Sequence, residues 1–419
     1  MTRARGGAAR VVAAALVAAA CSGDADLTRA LEGGAGRALV PAHALARAEW
    51  ADLRGAFPGN DSLLLKPHTL CWTGARLAVQ DQARQRVSVF DGRGRPVLTV
   101  PAVSERPLVE AAGVACAGHG REAALLLADQ GAAQVWMVDS AGAVLRRVPA
   151  PMSPQGLPLM GETALADDGT WFVSWLGTRS LLGPYLSDSA WKGMPLVERR
   201  TGEGALSGRL GTPVEYRHTV ARRVLNRVFM SAWRDTLWVL TQGDAAVQGF
   251  DRRGAPLGRR ILLPVHFRGR EPSITVREPL GGVGDFRYNT YDYHPNVGPF
   301  AVLGDSLFAV VRYRDWGWKR VGSGLGTFLP WASSAVEVYD RRGNLRGAFD
   351  APGMVTALAG GPGTRVAVVS RLREDGSYHV YVAELPGAML AGGPAEGACS
   401  LAAPGATAVC TVAGTGTRL

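Results

Sequence analysis

The sequence predicts an all-β protein built by repeating one four-stranded antiparallel unit, and three observations carry that reading. A β-rich run closed by Asp and a glycine turn recurs at Val87-Ser-Val-Phe-Asp91-Gly-Arg-Gly94, Val135-Trp-Met-Val-Asp139-Ser-Ala-Gly142, Val247-Gln-Gly-Phe-Asp251-Arg-Arg-Gly254 and Val336-Glu-Val-Tyr-Asp340-Arg-Arg-Gly343. Each phrase follows another strand-like run, such as Arg76-Leu-Ala-Val-Gln-Asp81 or Thr236-Leu-Trp-Val-Leu-Thr241. Apolar runs ending in tight turns (Ala166-Asp-Asp-Gly169, Trp233-Arg-Asp235, Leu303-Gly-Asp305) come before these, and a short outer strand follows the phrase, as in Arg95-Pro-Val-Leu-Thr-Val100. Fixed-period self-similarity is the mark of a repeat architecture.

The amino terminus reads as an export signal at residues 1–20. Arg3, Arg5 and Arg10 form a positive region, and residues 11–20 are apolar and too short to span a bilayer. The stretch runs into Ala18-Ala-Ala-Cys21-Ser-Gly, similar to a bacterial lipobox except that Ala18 stands where Leu is usual. Cys21 is therefore the expected lipidation site, and a periplasmic or outer-membrane-anchored lipoprotein is the expected location; an ordinary cleaved secretory signal is the alternative. Residues 21–45, rich in Ala and Gly, read as a tether.

Residues 46–388 hold the repeats. A lone four-stranded meander cannot bury both faces and must stack on its neighbours, and units of about 40 to 50 residues that do so form β-propeller blades. The boundaries fall at 62–104, 105–152, 157–212, 220–264, 296–351 and 352–388. The expected fold is thus a six-bladed β-propeller, with seven blades as the alternative if residues 265–295 hold another sheet. The last unit lacks an obvious fourth strand; the segment 50–57 or the hairpin at 399–412 is expected to supply it and close the ring.

The stretch from Arg76 through Val87 to Gly94 resembles an NHL-type repeat: a strand, an Asp-centred turn, Arg-Val, a second strand, then Asp-x-x-Gly. The units at Val135 and Val336 keep the second half, while Leu196-Val-Glu-Arg-Arg-Thr-Gly202 has lost the Asp. The resemblance spans roughly residues 62–388 and implies a fold, not an activity, because NHL-like propellers include binding scaffolds, lactonases and lyases.

Four cysteines remain after Cys21. In an oxidising compartment an even number suggests disulfides. Cys71 and Cys116 occupy equivalent places in successive repeats, and Cys399 and Cys410 flank a hairpin-like turn in the tail at 389–419. The expected pairs are Cys71 with Cys116 and Cys399 with Cys410, with free buried thiols as the alternative.

Net charge is +10, but three of the arginines sit in the signal, which leaves about +7. With only Lys66, Lys192 and Lys319 among the lysines and no nucleic-acid module, the excess of arginine reads as composition rather than as a nucleic-acid interface. Acidic surfaces, glycans or peptides are the expected partners, reached as a monomer held to the membrane through the lipid.

Counting strands A to D from the axis, A–B and C–D turns lie on one face and B–C and D–A connections on the other. The tight turns leave the first face plain. The long stretches at 176–195 and 312–335 fall between B and C, and those at 207–223 and 264–295 between D and A, so all four rise on one face. Loops on a rigid scaffold commonly carry function. These loops mix aromatic rings with guanidinium groups, a combination typical of binding hot spots. The candidate ligand residues are Tyr185, Trp191, Arg217, Arg287 and Tyr288, followed by Tyr291, Tyr293, Arg314, Trp316 and Trp318.

The expected function is a propeller scaffold binding a protein, or an extended anionic, glycan or peptide ligand, on that face. The alternative is a metal-dependent hydrolase or lyase, lactonase-like, at the axial pocket of the same face. Its candidate ligands are His68, His218 and His294, one from each of three blade starts, which suit zinc if they converge; calcium is the other candidate ion. No cofactor is predicted, and no Gly-x-Ser-x-Gly elbow or phosphate loop occurs.

Overall fold

The computed structural model describes residues 45–118, 124–152, 161–174, 195–214, 226–263 and 297–387 apart from 321–327; of 315–320 and 328–330, and of two short strand pairs at 275–276 with 288–289 and 399–400 with 409–410, it describes the backbone. The described residues form six four-stranded antiparallel sheets. Blade 1 comprises Pro67–Thr73, Arg76–Asp81, Arg86–Phe90 and Pro96–Val100, and blade 2 Ala111–Cys116, Leu125–Asp129, Gln134–Val138 and Val144–Pro149. Blade 3 comprises Thr163–Leu165, Trp171–Val173, Val197–Arg200 and Leu206–Leu210, and blade 4 Val228–Trp233, Thr236–Thr241, Ala246–Phe250 and Pro256–Leu262. Blade 5 comprises Val297–Leu303, Leu307–Arg320, Phe328–Asp340 and Leu345–Ala351. Blade 6 takes Met354–Gly360, Arg365–Arg371 and Tyr378–Glu384 from the end of the repeats and its outer strand, Ala51–Asp52, from their beginning.

That exchange closes the ring. Ala51 pairs with Val382 and Asp52 with Tyr381, while the segment just upstream ties to blade 5 through Ala46 and through the Trp50 indole, which donates to the Asp350 carbonyl at 2.7 Å. Of the other expected closing element, the described residues 399–400 pair with 409–410. Among the described residues there is no seventh four-stranded sheet, and 275–276 pair with 288–289.

The core confirms the closed count. Six apolar clusters each bridge two neighbouring blades: Val89 and Leu127 meet between blades 1 and 2, Met137 and Trp171 between 2 and 3, Phe172 and Val228 between 3 and 4, Phe229 and Phe308 between 4 and 5, Val338 and Val366 between 5 and 6, and Val369 and Phe90 between 6 and 1. Inner strands are covered on both faces, so Leu125–Asp129 is buried throughout, whereas Pro256–Leu262 on the rim is largely exposed. The sequence shows the same gradient as unbroken apolar runs inside and mixed runs outside.

The recurring Asp and Gly are structural. Asp91 Oδ1 accepts the N–H groups of Arg93 and Arg95, and Asp139, Asp251 and Asp340 repeat the pair of contacts at 2.8 to 2.9 Å. Such Asx turns let a short side chain stand in for a backbone carbonyl. The Arg95 N–H holds the Asp91 carboxyl below the usual carboxylate range, and the Ala255 N–H does so for Asp251. Each turn ends on a glycine of positive φ, 84° at Gly94, 90° at Gly142, 88° at Gly254 and 85° at Gly343. In blade 3 Thr201 replaces the Asp, yet the turn persists because the Gly204 N–H still reaches the Thr201 carbonyl and Gly204 keeps a φ of 86°.

Candidate functional site

The inner strands of all six blades enclose an axial cavity of about 610 Å3. Its mouth on the loop-bearing face is built by one backbone device. In each of the first four blades the N–H of the residue after strand B donates to the carbonyl of the residue before strand A: Gln82 to Lys66 at 2.9 Å, Gln130 to Glu110 at 2.8 Å, Ser174 to Glu162 at 2.9 Å and Gln242 to Arg227 at 2.8 Å. Buried aspartates reinforce it in two blades. Asp81 accepts the Lys66 N–H at 2.6 Å, and Asp129 accepts those of Val109 and Glu110 at 3.1 and 3.0 Å.

Charged and amide groups therefore collect at one end of the axis. His68, Gln82, Glu110, Gln130, Glu162 and Arg227 line the mouth from blades 1 to 4, while Pro299 and Thr356 are the lining residues of blades 5 and 6 nearest that end and Phe300 and Leu358 lie deeper in the wall. Arg227 reaches Glu162 at 3.5 Å and lies over the Phe229 ring at 4.6 Å. The side chains of Gln82, Glu110 and Gln130 have no hydrogen-bond partner among the described residues. The mouth is thus polar along blades 1 to 4 above a wall that carries apolar side chains, and three of its hydrogen-bonding side chains have no partner among the described residues.

The expected disulfide between Cys71 and Cys116 is present in the cavity wall, with Cα atoms 5.5 Å apart, and joins the inner strands of blades 1 and 2. Cys399 and Cys410 stand opposite each other in the register of their strand pair. Cys21 lies outside the described residues.

Of the candidate ligand residues, Tyr185, Trp191, Arg217, Arg287, Tyr291 and Tyr293 lie outside the described residues. Tyr288 sits opposite Val276 in the two-residue strand pair. His68 lines the axial mouth, and His218 and His294 lie outside the described residues. Among the described residues no group of three His, Cys, Asp or Glu side chains is placed to hold a metal ion.

Two stretches read as loops are strands. Ser207 to Leu210 belong to the outer strand of blade 3. Within the stretch 312–335, residues 312–320 and 328–335 extend strands B and C of blade 5, so Arg314, Trp316 and Trp318 lie on a strand, with a bulge between Arg314 and Gly317. Their aromatic residues favour an extended backbone, which the reading of the stretch as an irregular connection overlooked.

At the base of this extension Arg312 is buried with Glu337 and Tyr339, between blades 4 and 5. The guanidinium donates to Glu337 at 2.9 Å and to the Tyr339 oxygen at 3.0 Å, and the Tyr339 hydroxyl donates to Glu337 at 2.5 Å. Burial alone would weaken the Arg312 charge, but Glu337 and Tyr339 outweigh it and raise the Arg312 pKa; burial, then Glu337, raises that of Tyr339. This is an internal brace between blades.

No protein-family model matches the chain, and no curated protein sequence matches it. Solved structures do. The chain is similar to the calcium-binding protein regucalcin from Agrobacterium tumefaciens strain C58, at 10% identity over 82% of this chain and 98% of that one, with a TM-score of 0.46. It is similar to a protein from Bacteroides fragilis NCTC 9343, at 9% identity over 82% and 96%, with a TM-score of 0.47. It is also similar to virginiamycin B lyase from Staphylococcus aureus, at 10% identity over 77% and 81%, with a TM-score of 0.39. No helix among the described residues is long and apolar enough to cross a membrane.

Proposed function

We propose that this protein is an exported, lipid-anchored propeller of NHL type that binds an extended glycan or peptide ligand, one end of which enters the axial mouth on the loop-bearing face. The observation that carries the reading is the mouth itself. Gln82, Glu110 and Gln130 offer amide and carboxylate groups without a partner among the described residues, beside Arg227 and His68 and above a wall that includes Phe300 and Leu358. A sugar ring or peptide segment presents the same two characters, hydrogen-bonding groups on its edge and carbon on its face. A few placed polar groups in a mostly apolar cavity are what give such sites their orientation. The aromatic and arginine residues of the long connections, including Trp316 and Trp318, are expected to continue the contact outward.

Screening the mature protein on glycan and peptide arrays, then comparing variants, tests this. Glu110→Ala and Gln130→Ala remove groups that have no hydrogen-bond partner among the described residues, so each is expected to weaken capture about tenfold, the loss typical of one good hydrogen bond, without lowering the unfolding midpoint. Capture unchanged in both variants overturns the axial assignment. A metal-dependent reaction at the same mouth rests on His68 being joined by His218 and His294, and stoichiometric zinc or calcium in the purified protein would favour it.

A further inference from the structure

Away from the axis, the seam that closes the ring assembles a second group of reactive side chains. Ser377 ends the B–C turn of blade 6, and His379 lies two residues on, along the same face of strand C. The His379 Nε2 atom is 3.0 Å from the Ser377 hydroxyl oxygen, and its Nδ1 atom is 2.8 Å from Asp52 Oδ2. Asp52 belongs to the closing strand more than 300 residues upstream, as the sequence separation of 327 records.

Each member is held by further contacts. Asp52 Oδ1 caps the short helix Leu53–Ala56 by accepting the Arg54 N–H at 2.9 Å. Ser377 is fixed by its N–H to Asp375 at 2.8 Å and by its carbonyl, which accepts the Leu372 N–H at 2.9 Å. The His379 ring stacks on Tyr381, centroids 5.9 Å apart. These partners also assign the tautomer. A carboxylate accepts only, so Nδ1 carries the hydrogen toward Asp52 and the lone pair of the neutral ring is on Nε2, facing the Ser377 hydroxyl, with Arg54 Nη1 3.4 Å away. The order carboxylate, imidazole N–H, imidazole lone pair, hydroxyl is the one that activates a serine nucleophile, and it is recognised by geometry rather than by position in the chain.

We propose that Ser377, His379 and Asp52 form a serine nucleophile, its general base and the carboxylate that orients it, acting on small unhindered carboxylic esters at the outer edge of blade 6. Ser377 Oγ bonds to the ester carbonyl carbon while its proton passes to His379 Nε2. As the carbon–oxygen bond to the alcohol breaks, the same proton goes to the departing alkoxide. Water then attacks the acyl carbon while its proton passes to His379 Nε2; the bond to Ser377 Oγ breaks, Oγ takes that proton back, and the acid leaves. The Arg54 guanidinium is the donor placed to meet the oxyanion. Partial exposure of His379 and Asp52, 19% and 34%, leaves the group open to solvent and suits a short acyl chain.

The test uses the mature protein with p-nitrophenyl acetate and a fluorophosphonate label, followed by peptide mass spectrometry. Label is expected on Ser377; Ser377→Ala is expected to abolish labelling and turnover, and His379→Gln to slow both by at least about 100-fold, the low end for a positioned general base. Asp52 also caps a helix and closes the ring, so the two blade 6 variants carry the test, with the unfolding midpoint as the control for folding. Absence of label on Ser377, or labelling at an unchanged rate in His379→Gln, overturns the proposal. Neither variant touches the axial mouth, so ligand capture there is expected to persist in both.

Discussion

Gly254 shows how a single residue can satisfy two constraints at once. Its φ of 88° lies in the left-handed region, and a Cβ there would sit 2.5 Å from Cδ2 of Leu210, a buried side chain on the outer strand of the preceding blade. Gly94, Gly142 and Gly343 repeat the arrangement against Leu53, Leu98 and Ile261. The turn glycine is therefore both a backbone requirement and a contact point between blades. Gly169 separates the two effects, because its φ is 80° but nothing lies within 4 Å of an added Cβ. Gly169→Ala should cost about 1 to 2 kcal/mol from backbone strain alone. Gly254→Ala should cost roughly 2 to 5 kcal/mol, since overpacking adds to the strain. Urea denaturation of both variants checks this, and equal losses would remove the packing role.

Among the elements, the closing strand carries weight out of proportion to its two residues. Outer strands in the other blades run from Pro96–Val100 at five residues to Pro256–Leu262 at seven. The short Ala51–Asp52 strand leaves a cavity of about 330 Å3 at the seam, bounded by Trp72, Leu77, Phe90 and Arg365. A chain beginning at Pro58 would lose this strand, the capped helix and the Trp50 tie to blade 5. Amide exchange in Tyr378–Glu384 is then expected to quicken ahead of the C strands of the other blades, because that edge loses its ladder partner. Exchange indistinguishable from that of the longer chain would show that the seam closes without it. The blade 5 extension teaches the complementary lesson. Tyr313, Trp316, Trp318, Phe328 and Trp331 were legible as a chemically distinct cluster. Their extended backbone was not, because the stretch was sorted by its length between strands rather than by β propensity, and nothing local indicates that Arg312 is buried against Glu337.

For the molecule as a whole, stability depends on closure, since each of the six clusters is shared between neighbours and none belongs to one blade alone. The Cys71–Cys116 bond staples two blades across 45 residues, and in the chain-entropy model such a loop is worth about 4 kcal/mol. Cys71→Ser with Cys116→Ser should therefore lower the urea midpoint markedly while the circular dichroism of the folded state stays β-rich. An unchanged midpoint would mean the unfolded chain is not restrained by the bond. The sequence by itself determined the repeat, its six units and the tight turns, because strand periodicity, Asx turns and positive-φ glycines act over a few residues and leave a mark at each recurrence. It did not separate connections from strands everywhere, since 207–210 and much of 312–335 are strand. Only the tertiary structure decided which groups meet. The rim of His68, Gln82, Glu110, Gln130, Glu162 and Arg227 draws on four blades, and the contact of Asp52 with His379 spans nearly the whole ring. Circular closure brings together residues far apart in the chain, and no local pattern encodes a contact whose partner lies at the other end of the repeats.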